Sequence, residues 1–391
     1  MSTALPTADP TALETLLRDE FPVVENCIYL NHAAVGPWPR RTQTAVANFA
    51  AENATQGARR YLQWLETERR LRQQLAGLIH APSSDDIALL KNTSEALSFV
   101  AYGFPWHEGD NIVISDEEFP SNRIVWESLR TRGVAVREVS LKGQPDPERA
   151  VLNAMDRHTR LLAISSVQYA SGMRLDLARL GSACRTRDVA FCVDAIQSVG
   201  AIPIDVQASH IDFLMADGHK WMLGPEGVAL FYCAPRWRDR LALTEYGWHM
   251  VEEAGNYDRR EWEPARNARR FECGSPNMLG IFALSASLSL LLEVGINTVE
   301  HRVLQRSAFL LSELGRRANI ELLTPASSDR HAGIVTFKLK GIDPQSVHRS
   351  LMENGIVCAP RGGGIRFSPH FYIPLQQLES ALKTLDGIMR R

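Results

Sequence analysis

Cysteine is scarce in this 391-residue chain, and the little there is lies scattered. Its six cysteines (27, 184, 192, 233, 273 and 358) form no CxxC pair and no Cys/His cluster, which argues against a zinc site and a disulfide framework. Neither charge sign is in excess. A formal net charge of −2 gives no electrostatic reason to expect nucleic acid or an acidic membrane as partner. Long hydrophobic runs are also missing. The most apolar stretch, Ile281 to Gly295, is interrupted by serines and falls short of the roughly 20 residues of a membrane span, so a buried helix is expected there. The first twenty residues have no basic start and no apolar core, unlike a secretory signal, and cytoplasmic residence is the default expectation. Repeats, heptads, low-complexity tracts, GxGxxG and P-loop patterns are absent too, which sets aside solenoids, coiled coils and those nucleotide-binding designs.

What is present is an ordinary globular composition, 45% hydrophobic and 23% charged, over a length that suits one large domain and a smaller one. Short β-branched or apolar runs read as buried strands: NIVISD (111–116), VAVREVSL (134–141), RLLAISSVQ (160–168), VAFCVDAIQ (189–197), IDFLMAD (211–217) and GVALFYC (227–233). Helical segments such as 175–188 lie between them. Alternation of this kind predicts an α/β fold whose mostly parallel sheet is covered on both faces, with ligands outside the carboxyl ends of the strands. Beyond about residue 295 the pattern changes to a small α+β domain closed by a final helix over 375–391. The expected division is an N-terminal segment 1–28 packing with the small domain, a large domain 29–295, and a small C-terminal domain 296–391.

Three features carry chemistry. Asp194 ends the apolar run VAFCV, where an acid either caps the next helix or needs a positive partner. Lys220, 26 residues later in DGHKWMLGPEG, is alone no more than a lysine beside a Gly/Pro turn. The third is KNTSEALSFVAYG (91–103), where Asn92, Thr93 and Ser94 open a helix after the strand-like IALL. That is an ordinary N-cap or an anion site made of free N–H groups, a helix dipole and two hydroxyls. Together they match what pyridoxal 5′-phosphate (PLP) requires: an amine for its aldehyde, an acid to keep its ring nitrogen protonated, and an anchor for its phosphate.

From YLNHAAVGP (29–37) to IRFSPHFY (365–372) the chain resembles the class V aminotransferases, a family of fold-type-I PLP enzymes that includes cysteine desulfurases, isopenicillin-N-epimerase-like enzymes and kynureninase. The most specific segment is VDAIQSVGAIPIDV…DFLMADGHKWMLGPEGVALF. The resemblance implies that Lys220 is the Schiff-base lysine and proton shuttle, that Asp194 binds the ring nitrogen, and that Gln197 lies near the ring hydroxyl. It implies that His219, Thr93 and Ser94 reach the phosphate, and that Phe119 stacks on the ring where it would otherwise be a core residue. Arg366 becomes the clamp on the α-carboxylate of an amino-acid substrate, a task that suits a guanidinium fork. Ser275, in FECGSPN, contributes a hydroxyl to the phosphate of a neighbouring subunit, which makes the protein a homodimer with a shared site. His32, Ala33 and Ala34 line the substrate mouth. No metal is implied.

Two departures bear on the reaction. Desulfurases have a histidine at the position of Phe119 and a nucleophilic cysteine on a loop before the terminal arginine motif. Here the nearest cysteine, Cys358, lies in the strand-like IVCAP and reads more readily as a small buried hydrophobe. Tyr169 stands where desulfurases have an asparagine, and Asp217 where they have a phosphate-binding serine. An aminotransferase reaction on an L-amino acid is therefore the leading expectation, with desulfurase-like or C–S β-lyase activity as the alternative. Epimerisation, kynurenine-like cleavage and a non-catalytic PLP-binding role remain behind these. Arg361 is left between substrate recognition and surface pairing, and Trp248 and His249 between the pocket, a lid and a dimer contact.

Overall fold

In the computed structural model, residues 10–390 are described. Strand β1 (Ile28–Tyr29) is followed by β2 (Ile87–Leu90), β3 (Asn111–Ser115), β4 (Ala135–Val139), β5 (Thr159–Ser165), β6 (Ala190–Asp194), β7 (Phe213–Asp217) and β8 (Ala229–Cys233). The C-terminal part adds β9 (Ile320–Leu322), β10 (Val335–Leu339), β11 (Ile356–Val357), β12 (Ala359–Arg361) and β13 (Gly364–Phe367). Strands β2 to β8 form one seven-stranded sheet in the order β2-β8-β7-β6-β5-β3-β4. Four of its six pairings are parallel; only β8 runs against both its neighbours, β7 and β2.

Burial follows from this layering. Strands β3, β6, β7 and β8 are buried at every position, which is why they read as unbroken apolar runs rather than alternating ones. Edge strand β4 is half exposed and carries Arg137 and Glu138. Helix Thr93–Gly103 packs on β2, β7 and β8, and Leu177–Thr186 packs on β6. The serine-interrupted stretch is indeed a mostly buried helix, Met278–Val294, packed on Arg40–Gln56 and Tyr61–Leu78. It meets the next helix, Ile296–Gly315, at an 84° bend at Gly295. Among the described residues, no single helix is long and apolar enough to cross a membrane.

The small sheet, β12-β13-β10-β9, is antiparallel. The segment IVCAP is not one strand. Ile356 and Val357 pair with β1, Cys358 breaks the run, and Ala359 continues against β13. The N-terminal stretch is tied to this end of the chain, with Phe21 stacked on Tyr372 at 3.5 Å between ring centroids. The strand positions and the mostly parallel α/β architecture agree with the sequence reading.

Candidate active site

Strands β2, β5, β6 and β7 deliver their carboxyl ends to one side of the sheet, and a 320 Å³ cavity opens there. Thr93 and Ser94 begin the helix after β2; Asn92 caps it, its side chain accepting from Glu95 N at 2.9 Å. The cap leaves the first N–H groups of that helix free at the cavity edge, a natural seat for a phosphate. Thr93 Oγ1 is buried and has no hydrogen-bond partner among the described residues, and Ser94 Oγ donates to Ser121 Oγ at 2.8 Å.

At the end of β6, Asp194 is 2% exposed. Burial pushes its carboxyl up to about 7, partly offset by the Ile196 N–H donated to Oδ1 at 3.0 Å. Lys220 lies across the cavity, in the turn after β7, also buried. Burial lowers its ammonium to about 8, against the pull of Asp194. Its Nζ sits 5.6 Å from the centroid of the Phe119 ring. That ring is 40% exposed and meets Tyr169 edge-on at 5.1 Å, so one aromatic face remains open to the cavity.

The turn carrying Lys220 is fixed by tight packing. The Gly36 N–H donates to His219 O, and a Cβ at Gly36 would fall 2.3 Å from Lys220 O. Trp221 Nε1 donates to Gln197 Oε1 at 2.9 Å, and Gln197 Nε2 donates to Ala33 O at 3.0 Å. These two bonds settle which end of the Gln197 amide is the donor. His219 Nδ1 lies 3.2 Å from Asp217 Oδ1, so the acid at this unexpected position faces a histidine within its own chain.

On the far wall is Arg366, from β13 and 2% exposed. Burial, and then the nearby Arg361, lower its guanidinium to about 10. Its Nη1 donates to Tyr169 O at 2.8 Å, while its buried Nε has no partner among the described residues. Donors held dry and unpaired in this way suit an anionic ligand.

The cavity thus brings together Thr93, Ser94, Phe119, Asp194, Gln197, His219, Lys220, Arg366 and Ala33 of the expected set, along with Ala34, Tyr169, Asp217 and Arg361. It does not bring in His32. That ring is fully buried, with Nδ1 2.9 Å from Ser368 O and Nε2 2.6 Å from Tyr372 Oη; it is a structural link rather than a mouth residue. Ser275 is also outside, lining a separate 210 Å³ cavity with Lys91, Glu95 and Gly227. Trp248 belongs to a surface groove, and His249 to a buried cluster with Glu68 and Glu272.

Sequence reasoning missed Ser121 and Ile196, which also line the cavity, and took Asn92 only as part of the helix opening. It missed Glu118 as well. This carboxylate accepts from Ser115 Oγ, Asn122 Nδ2, Gln168 Nε2 and both donors of Ser165, and it anchors the loop that presents Phe119. Of these, only Asn92 had a signal, as the N-cap of NTSE; nothing separates Glu118 from Glu117 in the bare string.

The residues present fit PLP. An unpaired hydroxyl and free helix amides face the phosphate end, a buried acid is available to a ring nitrogen, and a desolvated amine adjoins an open aromatic face. The sequence model of the family described as Aminotransferase class-V matches residues 28–366. A protein of Methanothermobacter thermautotrophicus named "Probable cysteine desulfurase" is 30% identical over 397 aligned residues, covering 95% of this chain and 97% of that one. The isopenicillin N epimerase of Streptomyces clavuligerus is 28% identical, covering 92% and 94%. Among solved structures, the cystine C–S lyase C-DES superposes with a TM-score of 0.87 at 24% identity, over 94% of this chain and 99% of that one. The cysteine desulfurase CsdA of Escherichia coli gives 0.86 at 22% identity, over 98% and 99%. At such identities the solved structures speak for the fold, which is fold type I.

Proposed function

The chain belongs to the class V aminotransferase family of PLP enzymes, and from that premise we propose that it is a lyase that breaks the Cβ–S bond of a sulfur-bearing L-amino acid. The observation that carries this reading is the make-up of the cavity: the Lys220 amine, the deeply buried Asp194 carboxyl and the buried Arg366 guanidinium, with no thiol on its wall. Relatives named for cysteine desulfurization support C–S chemistry over transamination, the leading expectation from sequence. The persulfide-carrying variant of that chemistry needs a mobile cysteine. Cys358 is 3% exposed, burial pushes its thiol up to about 12, and it does not reach the cavity. The β12–β13 connection beside it is only the pair Gly362–Gly363, too short to carry a swinging thiol.

In this proposal Thr93, Ser94, His219 and the helix amides hold the cofactor phosphate, while Asp194 holds a proton on the ring nitrogen. Gln197 turns its remaining amide N–H toward the ring hydroxyl. When bound, PLP supplies an electron-accepting ring conjugated to the substrate α-carbon. Arg366 grips the α-carboxylate and so fixes which substituent stands toward Lys220. Lys220 Nζ takes the α-proton, and the sulfur departs from Cβ with the bond pair. With one water consumed, the products are a thiol or persulfide, pyruvate and ammonium. A second copy of the chain is part of the proposal, placing its Ser275 hydroxyl at the phosphate.

The test is product analysis on the purified holoenzyme with L-cystine and S-substituted cysteines. Pyruvate and ammonium in equal amounts with the sulfur product are expected, and Lys220→Ala should lose turnover by at least about a hundredfold, the usual share of a general acid–base group. Alanine with a persulfide left on the protein would make this a desulfurase. A keto acid matching the donor, with the cofactor left in its amine form, would restore transamination.

A further inference from the structure

The cavity carries a second guanidinium that no part of the proposed reaction uses. Arg361 lines it from the last position of β12. In the β12–β13 register, Ala359 stands opposite Arg366 and Arg361 opposite Gly364. Residues paired across strands, and residues two apart along one, share a face, so Arg361 and Arg366 project on the same side as diagonal neighbours about 7 Å apart. They differ in depth: Arg366 is 2% exposed, whereas Arg361 is exposed at the rim.

No acid neutralises either of them. Among the described residues neither forms an ion pair; Arg361 donates to the neighbouring Pro360 O at 3.0 Å and Arg366 to Tyr169 O at 2.8 Å, both backbone carbonyls. The acids that share the cavity, Asp194 and Asp217, act on Lys220 rather than on Arg366; Asp194 also accepts from Ile196 N and Asp217 lies beside His219. Lys220, Arg361 and Arg366 thus converge as three cationic side chains, and each guanidinium opposes protonation of Lys220. Leaving like charges this close and unpaired raises the energy of the empty site, and an anion entering between them relieves it.

We infer that Arg361 and Arg366 form a two-carboxylate subsite, Arg366 holding the α-carboxylate at depth and Arg361 the far acid of the side chain at the rim, so that the substrate is a sulfur amino acid with a second carboxylate. This rests on the reading of the cavity as an amino-acid site, and it deepens that reading by naming the substrate class. A single carboxylate gripped by both arginines is the competing geometry, and their difference in depth speaks against it.

Two measurements on the holoenzyme separate these readings. The first is the ratio of kcat/KM for S-carboxymethyl-L-cysteine to that for S-methyl-L-cysteine, for the natural chain and for Arg361→Gln. The second, independent of any turnover, is the calorimetric affinity for glutarate relative to butyrate. Both ratios should favour the diacid, and Arg361→Gln should reduce each by about 10- to 100-fold, the worth of one charge-assisted contact. Ratios near unity in the natural chain, or ratios that Arg361→Gln leaves unchanged, would overturn the subsite. Failure to turn over any sulfur substrate while the glutarate preference persists and is lost in Arg361→Gln would sink the lyase reading and uphold the subsite.

Discussion

Lys220 meets two opposed demands. It must be neutral to add to the cofactor aldehyde, yet it lies in a cavity where Asp194 favours its charged form. Burial decides the balance, lowering the ammonium to about 8 from an ordinary value of 10.5, and the two arginines add to that effect. The sign follows directly: below 8 most of the amine is protonated and inert, and the neutral fraction rises tenfold for each pH unit until it saturates above 8. The rate at which cofactor-free protein captures added PLP, followed by stopped-flow absorbance at constant ionic strength, should therefore climb about tenfold from pH 6 to 7, then flatten between 8 and 9. An amine that titrates near its ordinary value would instead give a rate still rising steeply at pH 9. That Lys220, Asp194 and Arg366 share one cavity was legible from the family motifs that carry them, Asp194 at a strand end, Lys220 in the turn after one and Arg366 within β13. His32 misled, because its motif places the backbone correctly while its imidazole is drawn inward by Tyr372 and Ser368. Glu118 was invisible, since its meaning depends on four residues, two of them, Ser165 and Gln168, from a stretch more than 40 residues away.

At the scale of elements, the site is a set of strand ends and turns held in place by close backbone approach. Gly36 is the clearest case. Its segment crosses directly over the Lys220 turn, and any Cβ there would meet Lys220 O at 2.3 Å, far inside contact distance. Backbone cannot give way as a flexible side chain can, so Gly36→Ala must shift one of the two segments. The expected result is a cost of about 1–3 kcal/mol in stability, typical of overpacking, together with weaker cofactor retention. A thermal melt and a dialysis series followed by visible absorbance would check both; an unchanged cofactor content would mean that the Lys220 turn is not braced by Gly36. The strands themselves were readable because a buried parallel sheet writes continuous apolar runs. Two things were not. The reversal of β8 leaves no mark on its composition, since a buried strand is equally apolar in either direction. The division of IVCAP between two sheets depends on partners more than 300 residues apart, Ile28 with Ile356 and Tyr29 with Val357.

At the scale of the whole molecule, one chain leaves two things unexplained that a second copy would account for. Ser275, expected at a phosphate, lines a different cavity from Thr93 and Ser94 and shares no wall with it. Nearby in sequence, Tyr246, Tyr257 and Trp262 are each more than half exposed and line a 450 Å³ groove with Trp248 and Met250. Aromatic surface of this kind is unfavourable in water and suits a contact face. In the proposed dimer that face packs against a second copy, and Ser275 is the donor that each chain offers to the other's phosphate. Light scattering should then give twice the chain mass. Ser275→Ala should keep that mass and weaken PLP binding about tenfold, as expected for the loss of one hydrogen bond to a charged group. Trp262→Glu places a charge in the apolar contact, and should lower both the mass and the PLP affinity, with affinity recovering as protein concentration rises. A monomer that binds PLP as tightly as the natural protein, or a dimer indifferent to Ser275→Ala, would place the complete phosphate site within one chain.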